Sequence, residues 1–322
     1  MQTPHQGFHP ELRGLARFLP RGLGSPWLLA LMRRTAFLLR APRLKEDVQV
    51  EDVRVAGPAG APPVRVRLYT PRKRTRPTPA LLWIHGGGYL FGKPEQDERL
   101  CAHFAQELGI VVASVDYRLA PENPFPAPLE DCYAALKWLG TEAGIRGVRA
   151  DRLAVGGASA GGGLAAALAQ LAHDRGEVRP VFQLLVYPML DDRTAVRAGI
   201  DGALHRLWDQ KSNLFGWKSY LGMAPGAPRV PEYAAPARRE SVAGLPAAWI
   251  GVGTADLFHD EDLEYARRLE QAGVPCELHV VPGAHHGFDI VFAKADVTRT
   301  FRDSHVAALR RALFPGAAQR AG

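Results

Sequence analysis

Ser159 stands in Gly157-Ala158-Ser159-Ala160-Gly161, a Gly-x-Ser-x-Gly pattern between an apolar run and a run of strong helix formers. A serine on a tight strand-to-helix turn has its hydroxyl pushed out, with the amides of the helix start beside it. At neutral pH that hydroxyl becomes a nucleophile only with a base in hydrogen-bond reach, and the base needs a carboxylate to orient it. Two later strand candidates end in such groups. Ala247–Gly253 leads into Thr254-Ala255-Asp256, and Cys276–Val281 leads into Pro282-Gly283-Ala284-His285-His286-Gly287. Ser159, Asp256 and His286 therefore form a candidate nucleophile, orienting acid and general base.

Rivals exist for two of the three. Asp260, Glu261 and Asp262 follow Asp256 closely, but they fall in a first helical turn, where acids complement the helix dipole. His285 neighbours His286, and His286 is preferred because Gly287 lets the backbone turn back toward the strand ends. Nucleophilic attack on a carbonyl also needs donors for the developing oxyanion. Gly86, Gly87 and Gly88 end the apolar run Ala80–Ile84, and Ala160 follows the serine. Their amides are the candidate donors, and which two of the glycines act is left open. A phosphate cradle would lead into a helix with a Lys-Ser/Thr pair, which neither glycine cluster supplies, and no dinucleotide-binding glycine pattern is matched.

Positioning these groups takes strands that alternate with helices. Val48–Val55 and Val64–Leu68 alternate apolar and polar residues and predict an antiparallel pair with one wet face. Ala80–Ile84 and Ile110–Val115 predict buried strands, and the run before the serine, Val181–Tyr187, Ala247–Gly253 and Cys276–Val281 predict further strands. Between them, helices are expected over Glu95–Leu108, Leu129–Glu142, the segment after Ser159, Asp260–Gln271 and Thr298–Leu313. Such a rhythm predicts a mostly parallel sheet with helices on both faces and ligands at the carboxyl ends of the strands. It breaks between about 189 and 242, which reads as an inserted cap carrying Trp208, Phe215, Trp217 and Tyr220. Residues 1–47 read as amphipathic cap helices, and residues 48–322 as the main domain.

Composition narrows the partners. The 322 residues are 47% hydrophobic and 23% charged, with a net charge of +7. The basic residues are scattered, and Arg72–Arg76 lies among prolines as a solvated loop, which weighs against nucleic acid. The apolar stretch Pro26–Met32 is too short to span a bilayer. Three widely separated cysteines suggest no disulfide framework and no metal set, in keeping with a reducing, cytoplasmic setting.

As a set, these motifs resemble the hormone-sensitive-lipase-like branch of α/β-hydrolase esterases. His85-Gly86-Gly87-Gly88 matches its oxyanion motif, and Asp116–Glu122 with Phe125-Pro126-Ala127 its second signature. Gly157–Gly162 matches its elbow, and Asp256-Leu257 with His286-Gly287-Phe288 its acid and base. The match runs from about Val64 onward. Ala158 stands where an acid is usual, and Leu257 where proline is common. The resemblance implies an α/β-hydrolase fold with a helical cap and hydrolysis of short- to medium-chain acyl esters. It implies no metal and no organic cofactor, a small-molecule ester as partner, no stable membrane insertion, and a homodimer as one assembly. It also makes Tyr89, Trp208, Phe215 and Trp217 candidates for the substrate wall, and it gives Arg118 and Glu122 the task of bracing the oxyanion loop. The alternatives are an amidase or aryl-deacetylase on the same three residues and a non-catalytic small-molecule receptor.

Overall fold

The computed structural model describes residues 7–22, 33 and 47–316. The proposed cap helices of residues 1–47 lie mostly outside the described residues. Eight strands form one sheet: β1 (Val48–Val55), β2 (Val64–Pro71), β3 (Thr78–Ile84), β4 (Val111–Asp116), β5 (Val148–Ala158), β6 (Phe182–Val186), β7 (Ala247–Gly253) and β8 (Cys276–Val281). Their spatial order is β1-β2-β4-β3-β5-β6-β7-β8. The β1–β2 and β2–β4 pairs are antiparallel, and every pair from β4 through β8 is parallel. The main helices are α1 (Glu98–Leu108), α2 (Ala127–Thr141), α3 (Ala160–Arg175), α4 (Gln210–Leu221), α5 (His259–Gln271) and α6 (Asp296–Leu313).

The period-two pattern of a strand divides each central strand between two cores. On β3, Ala80, Leu82 and Ile84 join one apolar cluster, while Leu81 and Trp83 join the other. The first cluster packs α2, α3, α5 and the cap residues Trp217 and Tyr220 against the sheet. The second packs α1 and α6 on the opposite face through Phe104, Phe301 and Leu309. All seven residues of β3 are buried, which explains the unbroken apolar run Ala80–Ile84 within it.

Differences from the expected elements are at their ends. β5 begins earlier, at Val148, because Thr78 of β3 pairs with it beyond a register shift. Residues 94–97 form a 3-10 turn before α1 rather than its first turn. Within 189–242 the only long helix is α4, and its start is set by Asp209, whose carboxylate accepts the Ser212 N–H. Residues 72–76 bridge β2 and β3 and are largely exposed, as a solvated loop should be.

The described part of the N-terminal segment straps the strand ends. His9 N–H donates to the Gly283 carbonyl at 2.9 Å, and Leu207 N–H donates to the Pro20 carbonyl at 2.8 Å. Leu12 is fully buried, and Arg206 donates to the Ala16 carbonyl. None of the described helices is long and apolar enough to cross a membrane.

Candidate active site

The turn between β5 and α3 is tight because α3 begins against the end of β3. A Cβ on Gly161 would lie 2.1 Å from the Ile84 carbonyl oxygen, so only glycine allows this approach. Ser159 itself sits at φ 57°, ψ −122°, a strained conformation for a residue with a side chain. Three bonds hold it there. Its N–H donates to the Val186 carbonyl at 2.9 Å, and its carbonyl accepts from Gly163 at 2.9 Å and Met189 at 3.0 Å.

Its hydroxyl lies 2.9 Å from His286 Nε2, and His286 Nδ1 lies 2.8 Å from Asp256 Oδ2. The other Asp256 oxygen accepts the Phe258 N–H at 3.0 Å. The Asp256 side chain has no solvent exposure and that of His286 is 9% exposed, so the ion-pairing edge is shielded from water. The loops after β7 and β8 are knit together by Thr254 N–H to the Val281 carbonyl, Ala255 N–H to the Ala284 carbonyl, and Gly283 N–H to the Thr254 hydroxyl. These bonds tie the loop that carries Asp256 to the loop that carries His286.

The rival residues are placed elsewhere. His285 is fully buried, and its Nδ1 lies 2.8 Å from the His286 carbonyl. Burial holds its imidazole below the usual range, so it stays neutral. The Asp260 side chain is 75% exposed beside His259. Glu261 turns away to accept the Leu190 and Asp191 N–H groups at 2.7 and 3.1 Å.

Burial pushes the Glu261 carboxyl up to about 8 from 4.5. Between these values the unfolded chain gives up a proton that the folded chain keeps. This contribution therefore erodes stability as pH rises, by about 1.4 kcal/mol per pH unit across that window. Glu261→Gln retains an acceptor for both N–H groups and removes the titration. Urea unfolding at pH 5 and pH 8 should show a variant that gains on the wild type as pH rises. A parallel pH dependence in the two proteins would contradict the assignment.

The glycine loop lies over the elbow. A Cβ on Gly86 would lie 2.9 Å from the Ala158 carbonyl oxygen. Gly87 adopts φ 124°, and a Cβ there would lie 1.9 Å from the Phe91 carbonyl oxygen. The loop is shaped from inside. The Gly87 carbonyl accepts from Leu90 and Phe91, His85 Nδ1 lies 2.8 Å from the Gly86 carbonyl oxygen, and Tyr117 donates its hydroxyl to the His85 carbonyl. His85 is fully buried and its imidazole is lowered by that burial, so a neutral ring donates to Gly86. Among the described residues no acceptor pairs with the N–H of Gly86, Gly87, Gly88 or Ala160. Four donors are left for a ligand at the strand ends.

The wall residues divide. Trp208 lies over the glycine loop, where a Cβ on Gly88 would fall 2.1 Å from its ring, and Phe215 is half-buried. Tyr89 and Trp217 do not fit the expected role. Tyr89 is 1% exposed, stacks on Tyr220 with ring centroids 4.0 Å apart, and donates its hydroxyl to the Met189 carbonyl. Trp217 has no exposure and packs 5.5 Å from the Tyr89 ring. Both are spent on seating α4 against the glycine loop, because an aromatic ring between two packed segments is worth more buried than exposed.

The bracing of the oxyanion loop also differs from expectation. Arg118 forms a bidentate pair with the buried Asp131 on α2, and Glu122 pairs with Arg33. Arg33 also donates to the Leu90 and Ala120 carbonyls. The N-terminal residue Arg33, which carries no catalytic motif, is therefore the side chain that ties Leu90 to the Ala120–Glu122 turn.

An open cleft of about 1380 Å³ runs between residues 228–241 and α5, and none of Ser159, Asp256 and His286 lines it. Its charges are largely paired with each other, as in Arg239–Asp174 and Arg193–Asp191. No three His, Cys, Asp or Glu side chains among the described residues are grouped to hold a metal ion.

Comparison with known proteins places this geometry. A family model described as alpha/beta hydrolase fold matches residues 81–290. Esterase LipI of Mycobacterium tuberculosis is 36% identical over 267 residues, covering 80% of each chain. Ethyl acetate hydrolase of Pseudomonas putida is 36% identical over 229 residues, covering 69% of this chain and 70% of that one. The structure of a bacterial heroin esterase superposes with a TM-score of 0.89 at 39% identity, covering 96% of this chain and 99% of the other. A strand-to-helix serine, a later acid and base on adjacent strand ends, and relatives of this extent agree: the chain belongs to the α/β-hydrolase family, in its hormone-sensitive-lipase-like esterase branch.

Proposed function

We propose that the protein hydrolyses short- to medium-chain acyl esters with Ser159 as nucleophile, His286 as general base and acid, and Asp256 as orienting carboxylate. The observation that carries this reading is the continuous hydrogen-bonded line from Ser159 Oγ through both nitrogens of His286 to Asp256. Ser159 attacks the ester carbonyl while its proton passes to His286 Nε2. Asp256 holds the proton on Nδ1 and stabilises the imidazolium. The negative oxygen is received by N–H groups of the Gly86–Gly88 loop and of Ala160. His286 then protonates the leaving alcohol, and water, deprotonated by the same nitrogen, releases the acid from Ser159. The buried Asp256–His286 pair strengthens each electrostatic step, since little water screens it.

The preference for shorter acyl groups is supported by Trp208 closing over the glycine loop and by a relative named for ethyl acetate, an ester with a two-carbon acyl group. The thiols of Cys101, Cys132 and Cys276 are unpaired, which supports a reducing, cytoplasmic setting. Turnover of p-nitrophenyl esters from two to sixteen carbons, run beside the matching anilides, tests the reading. We expect the highest kcat/KM at the short end and slower anilide cleavage. Faster cleavage of anilides than of esters would favour the amidase alternative, and tight binding without turnover would favour the receptor.

A further inference from the structure

The catalytic serine and histidine come from opposite ends of the fold's C-terminal half, 127 residues apart in sequence. Something must fix the gap between their loops, because a misplacement of about 1 Å can reduce turnover by about 100-fold. The end of β6 lies between them. Its last residue, Val186, accepts the Ser159 N–H, and two residues beyond Tyr187 the Met189 N–H donates to the Ser159 carbonyl. Tyr187 itself is forced to φ 36°, a positive value that a residue with a side chain adopts only under strain. Its own N–H is anchored to the Gly251 carbonyl on β7 at 2.7 Å.

That turn aims the Tyr187 side chain at the histidine loop. The ring lies 4.7 Å from the His286 ring at an interplanar angle of 63°. Phe258 flanks the same imidazole at 5.2 Å and 87°. The Tyr187 hydroxyl donates to Asp289 Oδ1 at 2.8 Å, with both residues buried. Asp289 lies three residues after His286, in the short helical turn Phe288–Val291. That turn is tied to α6 by Arg302, which donates to the Asp289 carbonyl at 2.6 Å and sits 3.7 Å from the Asp289 carboxylate.

We propose that Tyr187 and Asp289 are positioning residues, a buried clamp that sets the Ser159–His286 separation by joining the strand end that holds the serine to the turn that follows the histidine. This rests on the reading of Ser159 and His286 as nucleophile and base. Neither residue touches the reacting atoms. The phenol–carboxylate bond fixes the histidine turn in translation, and the two flanking rings fix the imidazole in rotation. A bond from a hydroxyl to a buried carboxylate suits the task because it is short, directional and shielded from competing water.

The test is a double-mutant cycle on the full chain with a short p-nitrophenyl ester. Tyr187→Phe keeps the ring and removes the bond. We expect kcat to fall by about 10- to 100-fold with KM changed by less than about twofold. Asp289→Leu should lose a similar factor, whereas Asp289→Asn keeps an acceptor oxygen and should remain within about threefold of wild type. The double variant Tyr187→Phe/Asp289→Leu removes both partners of the bond, leaves Arg302 on the residue 289 backbone carbonyl, and should be no slower than the slower single variant.

A Tyr187→Phe protein with wild-type kcat would overturn the proposal, even if its Tm were lower, since that is the signature of a merely structural bond. Multiplicative losses in the double variant would overturn it too. If Asp289→Leu fails to fold, Tyr187→Phe alone decides. Ser159→Ala, assayed beside them, separates the two levels: turnover in Ser159→Ala would sink the triad reading, while an inactive Ser159→Ala with a fully active Tyr187→Phe would sink only the clamp.

Discussion

Ser159→Ala should lower kcat on p-nitrophenyl acetate by about 10⁵- to 10⁶-fold, with KM little changed and the fold intact. The hydroxyl is the one atom of the elbow that points at His286, while the serine backbone carries the turn through Val186, Gly163 and Met189. Alanine keeps those backbone bonds and adds no atom. The effect therefore reports the nucleophile and not the scaffold. What remains should be the modest acceleration of a site that still holds oxyanion donors. Combining Ser159→Ala with His286→Ala should add almost nothing, because a base without its nucleophile has no proton to take. Labelling with an organophosphonate gives the same answer by another route: mass spectrometry should find one adduct, on the peptide containing Ser159, and none in the variant. Turnover in Ser159→Ala within about 100-fold of wild type would refute the assignment.

Asp256→Asn should cost about 10⁴-fold in kcat, although the substitution changes one atom and hardly any volume. The reason lies in the second oxygen. Asp256 Oδ1 accepts the Phe258 N–H at 3.0 Å, and that donor can be satisfied only by an oxygen. An asparagine is therefore held with its carbonyl toward Phe258 and its NH₂ group toward His286 Nδ1. Facing a donor, Nδ1 must become an acceptor, so the ring proton moves to Nε2. Nε2 then presents a proton to Ser159 and has no lone pair to receive one. The geometry survives and the tautomer is wrong. The variant should bind substrate with near-normal KM. Part of the activity should return at high pH, where hydroxide supplements the failed base. A decrease of less than tenfold would show that Asp256 does not set the tautomer.

Much of this site was legible in the residues themselves. Ser159 and Asp256 each follow an apolar run that reads as a buried strand, His286 follows the half-exposed edge strand Cys276–Val281, and in a parallel sheet all such ends meet along one edge. Chain order then restricts the roles. The glycine loop stood out as a candidate donor loop because three successive glycines after a central strand have few structural uses. Tyr89 and Trp217 were misjudged for a physical reason. An aromatic residue near a site has the same composition signature whether it faces a ligand or a neighbouring helix. Arg118 and Glu122 were expected to brace the oxyanion loop, but their partners, Asp131 and Arg33, are set by packing across α2 and the N-terminal segment.

Sequence alone determined the fold class and narrowed the candidate nucleophile, acid and base to a few residues at strand ends, because periodicity and strand-end chemistry are local properties. Tertiary structure alone decided which of four neighbouring acids faces the histidine. Asp256 does so at 2.8 Å, whereas Glu261 turns to the Leu190 and Asp191 amides and Asp262 is buried with no hydrogen-bond partner among the described residues. It also decided that Tyr187, which belongs to no motif, packs its ring edgewise 4.7 Å from the His286 ring and bonds to Asp289. Directions of side chains at strand ends depend on backbone angles such as the φ of 36° at Tyr187. Those angles are imposed by the hydrogen bonds and packing of distant segments, so they cannot be inferred from the nearest residues in the chain.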